Sequence, residues 1–219
     1  MRIDRTCEIP EGRNVLYMND HHLSAKVQMA IARELNKFYL LEDITVMAFE
    51  QPYGTLPNYV EKMYASSASF NPVTFISRAV EITPDIGAIH LVQVFLQRYV
   101  VEGRVEMWGV ENQLLFDRSQ IPQKEYCRHM EMWKSTAEQK KMVPENLPTE
   151  WQHKKDRLER RIHEFSERRD IAIVENIEHL MTYKNLSRLP LVRGHKHFES
   201  IKEKLRLREI GTVSYLFDP

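Results

Sequence analysis

Two helix starts standing close together constrain this chain most. At Asn71-Pro72 a capping side chain precedes a proline suited to the first helical position. Thr83-Pro84-Asp85 repeats the device and adds an acid that favours the positive helix end. Together they set one helix over residues 73–82 and another over 83–101, which stops near Gly103. Val60, Met63 and Tyr64 mark a further helix over 57–68 in front of them. Behind them, residues 104–108 and 113–116 read as two short strands around Gly109-Val-Glu-Asn112.

This order, three helices and then a β-hairpin over residues 57–118, resembles the winged helix-turn-helix fold class. The resemblance is carried by pattern rather than by an invariant motif. It implies a mainly α protein with small β wings (α+β) and makes 83–101 the recognition helix. On that helix His90, Gln93 and Gln97 share one face by their three- and four-residue steps. Glutamine can form bidentate hydrogen bonds to adenine, and Arg98 and Arg104 could meet phosphates. The same helix is otherwise Ile, Ala, Leu, Val and Phe on most sides, which equally suits burial at a dimer interface.

The remaining segments fall around that unit. In residues 1–56, Leu23, Val27, Ala30, Ile31, Leu35 and Phe38 recur at helical spacing over 23–39. A strand is expected at 44–49 and a turn at 51–55, and the helix and the strand are expected to pack on the winged-helix unit. Residues 119–170 read as a helical connector, with a long charged helix over 150–169 carrying Leu158, Ile162 and Phe165 on one face. Residues 171–219 suggest a second, incomplete winged-helix unit: a helix over 171–181, a proline-containing element over 185–192, a helix over 195–208 and one strand at 212–217.

Charge divides the chain. Residues 1–120 hold 11 Lys/Arg against 15 Asp/Glu, whereas 121–219 hold 20 against 16. Between Lys184 and Arg208, eight basic residues face two glutamates, which points to an anionic partner for this half. On the 195–208 helix, Phe198, Ile201 and Leu205 form the inward stripe. Lys196, Ser200 and Lys204 recur every four residues on the outer side, with His197 and Arg208 at its edges. Arg188 and Arg193 enlarge this patch, which is the expected phosphate contact.

Other chemistries find little support. Cys7 and Cys127 stand 120 positions apart, which excludes a disulfide framework and a cysteine-based zinc module. His21-His22, His195-Lys-His197 and the Glu175/His179 pair lack evident third and fourth ligands, so no metal or other cofactor is expected. Pro84-Asp85 has only the distant Glu138-Gln-Lys140 to complete a nuclease pattern. No Gly-x-Ser-x-Gly elbow or phosphate loop occurs, and seven glycines leave little material for one. The N-terminus is charged rather than signal-like, and residues 86–101 are too short and too polar to span a bilayer. The expectation is therefore a non-catalytic DNA-binding protein for transcription, replication, transposition or packaging. It would be homodimeric, free of membrane, and cytoplasmic or nuclear rather than secreted. The alternative is an adaptor whose winged helix and middle helix dock partner proteins.

Overall fold

The computed structural model describes residues 1–20, 24–55, 96, 99–100, 102–139 and 148–217. The chain divides into two compact units, Met1–Glu111 with Ile173–Pro219, and Asn112–Ala172. The first unit is built on a mixed sheet of seven strands among the described residues, so the winged-helix class is overturned. Its strands are β1 (Arg2–Cys7), β2 (Asn14–Asp20), β3 (Val46–Pro52), the short β4 (Gly54–Thr55), β5 (Glu106–Glu111), β6 (Arg188–Gly194) and β7 (Gly211–Leu216). They lie in the order β1-β7-β2-β6-β3-β5-β4. The five inner strands run parallel, and β1 and β4 close the two edges antiparallel.

Helices cover both faces, as a parallel sheet requires. Helix α1 (Ala25–Glu42) connects β2 to β3. Ser24 caps it by accepting the Val27 amide at 3.3 Å. The expected stripe is borne out at Val27, Ile31, Leu35 and Phe38, all buried against Leu16, Met18, Met47 and Phe49. The opposite face holds Val15, Tyr17, Val46, Ala48, Leu189 and Leu191. There they meet Ile173, Ile177, Leu180 and Met181, together with Ile201 and Leu205 of α4 (Phe198–Arg206). Successive residues of β2 and β3 thus feed opposite cores, which is the period-two rule of a strand.

Several expected elements are corrected. The second winged unit does not form: residues 188–194 are a central strand, and β7 pairs with both β1 and β2. Pro190 disguised β6, yet pairing with β3 begins only at Leu191, so the proline sits where the strand has a single neighbour. The wing hairpin is also absent. Residues 106–111 form one sheet strand, and 113–116 open helix α2 (Gln113–Gln139). Asn112 is a cap rather than a turn residue, its Oδ1 accepting the Leu115 amide at 3.1 Å. The helices expected at 150–169 and 171–181 are one, α3 (Thr149–Tyr183). The helices expected at 57–68 and 73–82, and most of 83–101, lie outside the described residues.

The second unit pairs α2 with the first part of α3 in antiparallel fashion. His129 stacks on Trp151 with ring centroids 4.7 Å apart, Tyr126 donates to Glu159 at 3.2 Å, and Arg161 meets Glu125 at 3.0 Å. Trp133 and Leu158 are its largest fully buried side chains among the described residues.

One glycine is demanded by a close approach. A Cβ on Gly211 would stand 2.0 Å from Asn14 Oδ1, 2.7 Å from the Ile9 nitrogen and 2.9 Å from the Cys7 carbonyl oxygen. Asn14 cannot give way, because its amide accepts from Ile9 N–H and donates to the carbonyls of Ile9 and Gly12. Gly211→Ala is expected to lower stability by about 1–3 kcal/mol. Urea denaturation checks this, and an unchanged midpoint would mean that the Ile9–Asn14 turn yields freely.

Candidate functional site

The parallel strands end in polar residues after apolar runs. Met18-Asn-Asp20 closes β2, Ala48-Phe-Glu50 comes near the end of β3, Val110-Glu111 ends β5, and Val192-Arg-Gly194 ends β6. Register brings them together: Asp20 lies beside Gly194 and Asn19 beside Arg193, while Phe49 pairs with Val192 and so sets Glu50 next to Arg193.

Arg193 is fully buried. Its Nη1 stands 3.1 Å from Glu50 Oε1 and 3.2 Å from Glu111 Oε2. The second oxygen of Glu50 accepts the Gly194 amide at 3.3 Å, and the Gly194 carbonyl accepts the Tyr17 hydroxyl at 3.1 Å. Gln28, from the second turn of α1, donates to Asp20 Oδ1 at 3.4 Å. The Asn19 amide donates to Ser214 Oγ and the Tyr215 carbonyl. Asn19, Asp20, Gln28, Glu111 and Arg193 are all buried. The chain leaves this edge through His195-Lys196-His197, a 3-10 turn in which His195 and Lys196 are exposed.

Topology marks the same place. The β2-to-β3 connection runs through α1 on one face, and the β6-to-β7 connection runs through α4 on the other. β2 and β6 are neighbours, and the helices that follow them lie on opposite faces of the sheet. This is a topological switch point, where open α/β sheets place ligands.

Of the residues expected to touch nucleic acid, Lys196, His197, Ser200 and Lys204 share the turn and helix that follow β6, whereas the arginines stand apart. Arg193 is buried between Glu50 and Glu111, and Arg188 is at the other end of the same strand, bound to Glu42. Arg208 engages Glu178 and Glu175, and Lys204 donates to Ser200 at 2.8 Å. Lys196 is exposed beside the half-buried His197. Arg104 pairs with Glu102 at 3.2 Å. His90, Gln93, Gln97 and Arg98 lie outside the described residues. Sequence reasoning missed Tyr17, Asp20, Gln28, Glu50 and Glu111. The signal available was the acid closing, or nearly closing, each apolar run.

Among the described residues, no group of three or more His, Cys, Asp or Glu side chains could hold a metal ion. None of the described helices is long and apolar enough to cross a membrane. Comparison with family models, curated proteins and solved structures gave no match.

Proposed function

We propose that this protein binds a small polar ligand in the crevice between the carboxyl ends of β2 and β6, and acts on it by acid–base chemistry. The observation that carries the reading is the parting of the two crossovers beside the aligned Asp20 and Gly194. The functional groups at that edge suit the chemistry. Asp20 accepts a hydrogen bond from Gln28, the Glu50–Arg193–Glu111 cluster is fixed beside it, and His195 stands exposed in the turn that follows β6, where an imidazole can serve as acid or base. Glu50 and Glu111 are engaged by Arg193, and the Asp20 carboxylate on the α1 face favours a ligand rich in donors or bearing positive charge. This reading takes precedence over the expected non-catalytic DNA-binding role.

Nucleic-acid contact is the second reading, favoured by the exposed Lys196 flanked by His195 and His197. Its difficulty is that Arg188, Arg193 and Arg208 are each held by glutamates of this chain.

A thermal-shift panel of amino acids, polyamines, sugars and nucleosides, with duplex DNA alongside, separates the two. A true ligand at a hundred times its Kd adds about 2.7 kcal/mol to stability. That gain should vanish in Asp20→Asn, each variant being referred to its own unliganded melting point. No stabilisation by any small molecule, or equal stabilisation of Asp20→Asn, refutes the crevice reading. Salt-sensitive DNA binding that weakens in Lys196→Ala would establish the second one.

A further inference from the structure

Four aromatic rings from three segments gather at the surface of the sheet unit. Tyr53 lies between β3 and β4, Trp108 on β5, and His179 and Tyr183 on α3. Tyr53 sits 6.3 Å from Trp108 and 6.1 Å from His179, and Tyr183 sits 6.4 Å from Trp108 and 6.3 Å from His179, as ring centroids. Tyr53 and Tyr183 are 41% and 67% exposed. Rings so open give up the burial that normally accounts for an aromatic side chain, and contiguous exposed apolar surface marks an interaction site.

The polar edges of three of these rings are held. The Tyr53 hydroxyl and His179 Nδ1 are hydrogen bonded, and Trp108 Nε1 donates to Glu106 Oε2 at 3.0 Å. Glu106 also binds Lys184 Nζ at 2.7 Å, and that ammonium lies 5.3 Å from the Trp108 centroid and 5.5 Å from Tyr183. Lys184 beside it holds the Glu106 carboxyl below the ordinary carboxylate range. The cluster is thus tied to its surroundings, with Lys184 over Trp108 and Tyr183, while Tyr53, His179 and Tyr183 remain exposed.

We infer that this cluster is a carbohydrate-binding platform, on which the C–H face of a pyranose ring stacks while its hydroxyls bond to the Glu106–Lys184 pair. Charge decides against the other planar ligand, a nucleobase in a polynucleotide. Phosphates need cations, yet Lys184 is engaged by Glu106, and the Arg208 that reaches the same helix is engaged by Glu175 and Glu178. A neutral ligand with many hydroxyls has no such penalty, and a carboxylate with an ammonium at the ring edge supplies both acceptor and donors. The proposal does not depend on the crevice between β2 and β6.

Isothermal titration of the full chain with cellohexaose, chitohexaose, maltohexaose and, separately, hexathymidylate tests it. At least one of the three glycans should bind saturably. Tyr183→Ala should weaken that binding by about ten- to a hundredfold, the range expected for losing one stacking ring. Tyr183→Phe, which keeps the ring, should bind within about twofold of the parent. Lys184→Met, which keeps the stem and removes the donors, should weaken binding as well. Since Tyr183 is largely exposed, matched melting curves will show that the variants remain folded. Absence of binding by all three glycans overturns the proposal, as does undiminished affinity in Tyr183→Ala. Tyr183-dependent binding of hexathymidylate alone would assign the platform to bases instead.

Discussion

Arg193→Met is expected to destabilise the sheet unit by about 3–5 kcal/mol, because it leaves the buried Glu111 and the partly buried Glu50 carboxylates without their cation. Arg193 has no exposed surface, and one of its nitrogens serves both Glu50 and Glu111. Methionine fills much of the volume but offers no donor, so the loss is electrostatic rather than a matter of packing. The companion variant makes this specific: Glu111→Gln in the Arg193→Met background should recover part of the loss, since it removes one of the stranded charges. Urea unfolding of the four proteins in the cycle measures the coupling. Additive effects, with no recovery in the double variant, would mean that the pair contributes no mutual stabilisation.

Ala172→Pro should cost about 3 kcal/mol or more, through the lost hydrogen bond and the clash with the carbonyl four residues earlier. The position is diagnostic because the sequence suggests two helices on either side of Asp170, whereas α3 runs unbroken from Thr149 to Tyr183. A true break near residue 170 would accept proline with little change in stability. A continuous helix would not, and thermal melting followed by circular dichroism distinguishes them. A substitution of Arg160 to alanine, exposed on the same helix, serves as the control with an expected change within about 0.5 kcal/mol.

The errors of sequence reasoning share a cause. Strands buried on both faces lose the alternation that identifies a half-exposed strand. Every residue of β2 is buried, so Val15-Leu-Tyr-Met18 carries no period to read. In β6 the interior proline looked like a breaker. Asn112 was ambiguous for a related reason: the same side chain suits a turn and a helix cap, and only the chain that follows decides. The candidate crevice was harder still. Asp20, Glu50, Glu111 and Arg193 are far apart in the chain, and a lone charge after an apolar run has many explanations.

The sequence by itself determined the local elements whose signals are complete within a few turns. Ser24 and the spacing of Val27, Ile31, Leu35 and Phe38 specify α1, Ile201 and Leu205 orient α4, and the strand expected at 212–217 forms as β7, with Gly211 as its first residue. It also excluded a disulfide-stapled fold by cysteine count alone. Only the tertiary structure decided strand order, because parallel pairing joins residues such as Asp20 and Gly194 that share no local pattern. It likewise decided the fate of the basic residues. A run of lysines and arginines declares its charge but not its partners, and in this fold Glu42, Glu50, Glu111 and Glu178 take Arg188, Arg193 and Arg208. Charge is a property of the residue, whereas its availability to a ligand depends on what the fold sets beside it.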